Sequence, residues 1–215
     1  MTEFEKYVKS DFNVNSITLN DYKNSMTPMV IEEREMRAVS MSVFDRLMME
    51  RIIWCAGPVN DRMSTIVQAQ LMFLDSIGND DITLHVDTPG GSVKSGLGIV
   101  DVMDYIKCDV ATVNTGMAAS MGSVLLGAGT KGKRSSLRFS KTMLHQSSGG
   151  AIGNIQDARI TMEEWEKTNS LLFELLGGYC GKTAKRVMKD SSRDKWLTAK
   201  EALDYGIIDE VIGLK

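Results

Sequence analysis

Residues 82–128, ITLHVDTPGGSVKSGLGIVDVMDYIKCDVATVNTGMAASMGSVLLGA, decide the fold of this chain. The runs Ile82 to Val86 and Val110 to Asn114 are short and apolar, as buried strands are. The segments Ser92 to Ile106 and Ser120 to Ala128 instead have helical spacing of apolar residues. Strands that alternate with helices predict right-handed βαβ crossovers and a parallel sheet. The sequence therefore indicates an α/β protein.

The same alternation extends to both sides of this segment. Residues 51–56 predict a further buried strand, Thr198-Ala-Lys-Glu201 has capping-box spacing for a short helix, and Ile207 to Val211 predict a terminal strand. Residues 60–78 predict a helix whose apolar face comprises Met63, Ile66, Val67, Leu71 and Leu74. The helix at 92–106 has its predicted apolar face at Val93, Leu97, Val100 and Met103.

A long helix of about 22 residues is predicted from Ile155 onward, where positions recur at the three- and four-residue steps of a heptad seam. The seam comprises Ile155, Ala158, Met162, Trp165, Asn169, Leu172 and Leu176. Two interpretations fit this pattern. The helix either packs against its own domain or projects to meet another subunit, with Asn169 as the polar seam position that sets register.

Composition limits the domain organisation and the class of protein. Residues 1–27 are polar and weakly periodic, which predicts a flexible N-terminal extension or propeptide, and residues 28–215 form the predicted globular domain. With 43% hydrophobic and 25% charged residues, 215 residues suit one domain with its own core. The net charge of −3 gives no electrostatic footprint for nucleic acid, and we expect Lys131 to Arg134, a short basic cluster, to be a solvated turn.

Localisation is predicted from cysteine usage and from hydropathy. The three cysteines, Cys55, Cys108 and Cys180, stand at unrelated spacings, which predicts free thiols in a reducing compartment such as the cytoplasm. The N-terminus has no apolar signal segment, and no run approaches the roughly 18 apolar residues of a membrane span. We expect neither secretion nor a membrane partner.

Four positions carry candidate catalytic chemistry. Ser120 is a lone hydroxyl among small residues at a predicted strand-to-helix junction, and His145 lies at a predicted strand end, where a base suits a cleft. The chain has two histidines, and we expect His85 to be a half-buried strand residue. Asp194 supplies a carboxylate, and the Gly90-Gly91 pair, either a tight turn or an anion site, opens a helix with free N–H groups. Together they supply a nucleophile, a base, an orienting carboxylate and oxyanion donors.

Metal and nucleotide chemistry are not indicated. The histidines have no cysteine or carboxylate at ligand spacing, so no metal site is predicted. No GxGxxG follows a predicted strand, since the match at Gly127 to Gly132 comes after a predicted helix, and no complete Walker sequence is present, so no cofactor is expected. Cys55, in its apolar strand, is predicted to be inert core.

Further segments accompany these residues between positions 28 and 212. They are Pro28–Glu32, Glu50–Ile53, Pro89–Gly91, Ala118–Gly122, Gly129–Arg134, His145–Gln146, Gly149–Gly150, Arg193–Asp194 and Glu201–Gly206. In this order and spacing the chain resembles the proteolytic subunits of Clp protease, the ClpP family. It differs from the family's usual pattern at Ser147, which replaces a proline, and at Ser192, which replaces an acidic residue.

The resemblance implies a crotonase-like α/β fold of repeated β-β-α units, with the helix from Ile155 as a projecting handle between rings. It implies a serine endopeptidase with Ser120 as nucleophile, His145 as general base and Asp194 as its orienting carboxylate. By the same resemblance the oxyanion hole is formed by the N–H groups of Gly91 and Met121. The implied substrate-binding residues are Gly90, Ser92, Val93, Gln146, Gly149 and Gly150.

The resemblance also implies partners. It implies a homo-oligomer, a tetradecamer of two heptameric rings around a chamber, which hydrolyses unfolded polypeptides delivered by an AAA+ unfoldase of the ClpX, ClpA or ClpC type. The ATP would be used by the unfoldase, because this chain has no complete nucleotide-binding motif.

Three other interpretations stay open at the level of sequence. A non-catalytic subunit of the same fold would lack part of the triad, whereas Ser120, His145 and Asp194 are all present. An acyl-CoA enzyme on the crotonase fold would also use paired oxyanion donors but usually has catalytic carboxylates. A Ser–Lys peptidase needs a lysine that this sequence does not mark.

Overall fold

The computed structural model describes residues 29–34, 37–149 and 154–213. The predicted N-terminal extension at 1–27 and the predicted substrate-binding residue Gly150 lie outside these ranges. The chain forms two compact units, Met1–Glu50 and Arg51–Lys215. None of the helices in the described ranges is long and apolar enough to cross a membrane.

The first unit contains a hairpin and a short helix. Strands β1 (Met29–Arg34) and β2 (Arg37–Ser42) pair antiparallel. Helix α1 (Val43–Met49) follows directly. It starts with a capping box, in which the hydroxyl of Ser42 accepts from the amide of Asp45 and the Asp45 carboxylate accepts from the amide of Ser42. Sequence patterns did not predict these elements.

The second unit is built on a seven-stranded sheet that is mostly parallel. Its strands are β3 (Ile52–Ala56), β4 (Ile82–Thr88), β5 (Val110–Ala119), β6 (Arg134–Leu137), β7 (Lys141–Leu144), β8 (Lys195–Thr198) and β9 (Glu210–Ile212). Strands β3, β4, β5, β6 and β9 are neighbours in that order, β7 also pairs with β5, and β8 joins β7 antiparallel. The predicted α/β class with a parallel sheet is confirmed.

The helices of this unit lie between successive strands along the chain. They are α2 (Asp61–Ile77), α3 (Val93–Tyr105), α4 (Met121–Gly127), α5 (Ile155–Cys180), α6 (Ala184–Asp190) and α7 (Ala199–Tyr205). The side chains of Asn60, Ser92 and Thr198 cap α2, α3 and α7 by accepting from the amide three residues further on. The predicted capping box at Thr198 and Glu201 is present.

Strand β5 is longer than predicted, because the sheet divides along it. Its first half pairs with β6 up to Asn114, and its second half pairs with β7 from Met117. Asn114, predicted as the strand end, lies at this division. Its side-chain nitrogen Nδ2 donates to the backbone carbonyl of Lys141, and its backbone carbonyl accepts from the Ser140 hydroxyl. The division carries the end of β5 past β6 to Ala119.

The buried faces of α2 and α3 differ in part from the predicted apolar faces. Ile66 is 47% exposed, so the buried face of α2 is formed by Val67, Leu71 and Leu74. On α3, Val93 and Leu97 are only half-buried, while Ser95, Gly96 and Ile99 face the core with Val100 and Met103. The reason is the close approach of α4: a Cβ on Gly96 would lie 2.3 Å from the Met121 side chain.

The basic cluster at 131–134 is not a purely solvated turn. Arg134 is 3% exposed, and its guanidinium donates two hydrogen bonds to the carboxylate of Asp209, at 2.6 and 2.8 Å. It also donates to the carbonyls of Tyr179 and Gly206. Arg134 therefore joins β6 to the chain before β9. Strand β9 begins later than predicted because the amides of Gly206 and Ile207 still bond to the carbonyl of Ala202 at the end of α7.

Helix α5 is anchored at one end only. Its buried residues are Leu172, Phe173, Leu176, Gly177 and Cys180, all in its last turns. Between 155 and 171 no residue is buried, and Ile155 and Ile160 are 74% and 64% exposed. Within this chain the helix therefore projects, which favours the second of the two sequence-based interpretations.

Candidate active site

Ser120 lies between the last residue of β5 and the first residue of α4. Its backbone has φ 55° and ψ −120°, a conformation that costs a residue with a side chain about 1–3 kcal/mol. Hydrogen bonds hold it there: its amide donates to the carbonyl of Met143, and its carbonyl accepts from the amide and hydroxyl of Ser123. The Ser120 side chain makes no capping bond with α4, so its hydroxyl is available for another partner.

That partner is His145, the first residue after β7. Strands β5 and β7 run parallel with Ala119 opposite Met143, so the residues that follow both strands lie at the same edge of the sheet. The Nε2 atom of His145 is 2.7 Å from the Oγ atom of Ser120, a hydrogen-bond distance. The predicted strand-end position of His145 is confirmed, and His85 is a half-buried strand residue stacked on Trp54, as expected.

Asp194 reaches the other nitrogen of the His145 ring. It immediately precedes β8, which pairs antiparallel with β7 so that Leu144 is opposite Lys195. The Oδ1 atom of Asp194 lies 3.5 Å from Nδ1 of His145. The aspartate side chain is 63% exposed and the histidine 26%. This separation is that of an ion pair, and it is longer than a direct N–H to O hydrogen bond.

The glycine turn between β4 and α3 has a backbone that requires glycine. Gly90 and Gly91 have φ values of +91° and +150°. The Gly90 carbonyl accepts from the amide of Val59, and the Val59 carbonyl accepts from the amide of Ser92. A Cβ on Gly91 would lie 2.3 Å from the Val59 carbonyl oxygen. The segment before α2 therefore fixes the shape of this turn.

The same turn lies against the nucleophile segment. A Cβ on Gly90 would stand 2.7 Å from both the Ala119 carbonyl oxygen and the Ser120 Cβ, and 3.0 Å from the Met121 nitrogen. Among the described residues, no acceptor is hydrogen-bonded to the backbone amides of Gly91 and Met121. The structure therefore places the glycine turn against the backbone of Ser120 and Met121.

A small apolar cavity of about 30 Å³ adjoins the pair formed by Ser120 and His145. It is bordered by Ser120 and His145, and further by Val93, Met121, Ser123, Val124, Ser147, Asn169, Leu172, Phe173 and Leu176. Because α3, α4 and α5 each supply part of its wall, no single sequence segment could indicate it. Val124 and Phe173 are site residues that the sequence analysis missed.

Two larger clefts flank the cavity. One of about 620 Å³ is bordered by Val93, Leu97 and Trp165, and one of about 560 Å³ contains Gln146 and Asp194. Both include Ser147, so they meet at the segment that follows His145.

The predicted substrate-binding residues occupy different places in this region. Val93 borders both the small cavity and the larger cleft, whereas the Ser92 hydroxyl caps α3. Gly149 packs against the indole of Trp165, where an added Cβ would lie 2.2 Å from the ring.

The described residues offer neither a reactive cysteine thiol at this site nor a cluster of metal ligands. Burial raises the pKa of the Cys55 thiol to about 12 and that of Cys180 to about 11. Cys55 is fully buried, so the prediction of an inert core cysteine is confirmed. No group of three or more potential metal ligands occurs in the part of the chain that the structure describes.

An α/β fold that joins a serine at a strained strand-to-helix turn to a histidine at a strand end is an arrangement of serine hydrolases. Residues 33–215 match the model of the family described as Clp protease. The chain therefore belongs to the Clp protease family, and it is a serine peptidase.

Curated relatives agree with this assignment. The chain is 46% identical over 217 residues to a Porphyromonas gingivalis protein, covering 99% of this chain and 98% of the relative. It is 45% identical over 217 residues to a Bacteroides fragilis protein, covering 99% of both. A Streptococcus pyogenes protein is 48% identical over 190 residues, which cover 87% of this chain and 97% of the relative. Each of the three is named ATP-dependent Clp protease proteolytic subunit.

Proposed function

We propose that this chain is a proteolytic subunit that cleaves unfolded polypeptides through an acyl-enzyme formed on Ser120. The observation that carries the proposal is the 2.7 Å contact between Ser120 Oγ and His145 Nε2. The hydroxyl oxygen attacks the scissile carbonyl carbon, and its proton passes to Nε2 of the imidazole. The protonated ring then donates that proton to the leaving amine, and water hydrolyses the ester by the same route.

The remaining groups stabilise charge that develops during the reaction. Asp194 faces the imidazole at 3.5 Å and stabilises the imidazolium by charge. The free amides of Gly91 and Met121 serve as oxyanion donors, which is usually among the largest catalytic contributions. The two flanking clefts take the extended peptide on either side of Ser120, whereas the small cavity holds no more than a water-sized group.

The assembly is a tetradecamer of two rings, with α5 as the contact between them. The exposed apolar residues Ile155 and Ile160 on its projecting part support a contact with a second copy. Native mass measurement tests this: a particle of about fourteen subunits is expected, and a stable monomer near 23.7 kDa would contradict it.

The ATP in the relatives' names belongs, in this proposal, to an AAA+ unfoldase of the ClpX, ClpA or ClpC type. The chain itself uses no cofactor, and its buried free cysteines suit the reducing cytoplasm. Degradation of a folded substrate is expected only with unfoldase and ATP, whereas a short peptide is expected to be cleaved without them. Nucleotide-dependent cleavage by the chain alone would contradict this division of labour.

The catalytic proposal is tested by steady-state hydrolysis of a fluorogenic peptide. Ser120→Ala is expected to lower kcat by roughly 10⁴-fold or more, because the nucleophile is removed while the fold is kept. Ser76→Ala, at an exposed serine of α2, is the matched control and retains full activity. Equal activity of the two variants would eliminate Ser120 as the nucleophile.

A further inference from the structure

The segment that follows His145 has few backbone restraints. The β7–β8 ladder ends at Leu144, and no backbone–backbone hydrogen bond joins residues 146–149 to any other described residue. The side chains make the contacts instead. The amide of Gln146 donates to the Ser192 carbonyl over a long 3.4 Å, and Ser147 binds a side chain of α5.

The acceptor on α5 is Asn169. Its Oδ1 atom accepts from the backbone amide of Ser147 at 3.3 Å and from the Ser147 hydroxyl at 3.0 Å. One oxygen therefore binds both donors of a residue that stands two positions after His145. Proline could offer neither donor, so the contact depends on the serine at this position.

Asn169 lies where helix α5 begins to pack against the core. It lies one turn before Leu172 and Phe173, the first buried residues of α5, and borders the same cavity as Ser120 and His145. The helix upstream is exposed, whereas the helix downstream is packed in the core. The Asn169 side chain thus extends from the packed part of α5 to Ser147, in the segment without backbone–backbone hydrogen bonds.

We propose that Asn169 is a positioning residue that keeps the His145 ring aligned with Ser120 by holding Ser147. The inference rests on the proposed function, in which proton transfer between Ser120 and His145 is part of acylation. Small displacements of a catalytic group reduce rates steeply, on the order of 10²-fold for 1 Å. Loss of two neutral hydrogen bonds shifts the segment only partly, so about a tenfold effect on acylation is expected.

The test compares rates of fluorophosphonate labelling of the assembled, full-length protein across pH 6 to 9. Asn169→Leu removes the acceptor and is expected to label about tenfold more slowly. Asn169→Asp keeps an acceptor oxygen and is expected to label within about threefold of the unchanged protein. In that variant the acidic limb of the pH profile moves to higher pH, because a carboxylate at the cavity stabilises the protonated imidazole. Ser76→Leu, on the exposed side of α2 and away from α5, is the control and keeps the full rate.

A double variant tests whether the effect passes through Ser147. Ser147→Ala is expected to label about threefold more slowly, since it keeps the backbone amide and loses the hydroxyl. Asn169→Leu combined with Ser147→Ala should be no slower than Asn169→Leu alone, because both changes break one contact. Ser147 is exposed, so its variant keeps the test valid if the helix variant fails to fold.

The contrary outcomes are distinct. Asn169→Leu at the unchanged rate, multiplicative effects in the double variant, or failure of Asn169→Asp to restore the rate would each overturn the positioning role. Absence of labelling in the unchanged protein would overturn the proposed function itself, and this inference with it.

Discussion

The contact between the glycine turn and the nucleophile predicts a selective effect of Gly90→Ala. The added Cβ would lie 2.7 Å from Ala119 O and Ser120 Cβ, whereas comfortable separations of such atoms are roughly 3.5–4.0 Å. Since these neighbours are backbone atoms or are tied to the backbone, the nucleophile segment must move by roughly 1 Å. A shift of that size lowers kcat/KM by about 10²-fold. The φ of +91° adds strain that lowers the free energy of unfolding by about 1–3 kcal/mol.

Gly132→Ala separates these two effects. Gly132 has nearly the same φ, +88°, but no atom lies within 4 Å of its added Cβ. It is therefore expected to lose similar backbone stability and to retain its peptidase activity. Both variants are measured by chemical denaturation and by hydrolysis of a fluorogenic peptide. Equal activity in Gly90→Ala and Gly132→Ala, at equal stability, would refute the claim that the glycine turn sets the position of Ser120.

Other predictions concern stability, thiol reactivity and the aspartate of the site. Asp209→Asn should lower the free energy of unfolding by about 3 kcal/mol, seen in denaturant titration, because it leaves the buried Arg134 charge uncompensated. The hydrogen bond from Arg134 holds the pKa of Asp209 in the folded protein below its ordinary value. The ionised Asp209 carboxylate therefore stabilises the fold at pH values above its unfolded-state pKa, and this stabilisation is lost as the pH falls through its folded-state pKa. Asp209→Asn should therefore make the free energy of unfolding depend less steeply on pH at acidic pH. An unchanged pH dependence would show that Asp209 is not the group responsible. A thiol reagent at pH 8 should leave Cys55 and Cys180 unmodified until denaturant is added, because burial raises the pKa of each thiol; rapid modification of the native protein would show that these sites open. Asp194→Asn should lower kcat by about 10²-fold, less than loss of a directly bonded triad aspartate, since its carboxylate is exposed and 3.5 Å from the ring; a loss as large as that of Ser120→Ala would contradict the loose contact.

Much of the fold was predictable because its signals are local. Capping at Asn60, Ser92 and Thr198 fixes where three helices begin, and each cap is a side chain bonding to an amide three residues away. The candidate site was predictable for a related reason. Ser120 and His145 each follow a strand directly, so the edge of a parallel sheet brings them together.

What the sequence did not show depends on contacts between distant segments. The pairing of Arg134 with Asp209 spans 75 residues, and nothing near Arg134 distinguishes it from a solvated basic turn. Met121 packs against Gly96 and so determines which residues of α3 face the core. Hydrophobic periodicity alone included Val93 and Leu97 in that face, although both are only half-buried. A tertiary contact of this kind has no counterpart in local spacing.

The cavity beside the site is a similar case. Val124 and Phe173 come from helices that meet only in the folded chain. The bond between Ser147 and Asn169 likewise joins a loop to a helix position that looks, in sequence, like a polar residue of a heptad seam.

Peptide mapping of the fluorophosphonate-treated protein identifies the nucleophile directly. One phosphonyl adduct per chain is expected, on Ser120, formed rapidly in the unchanged protein and at least about 10³-fold more slowly in His145→Ala, because the 2.7 Å contact supplies the base. An adduct on another residue, or equal labelling of Ser120 without His145, would show that the Ser120–His145 pair is not the catalytic centre.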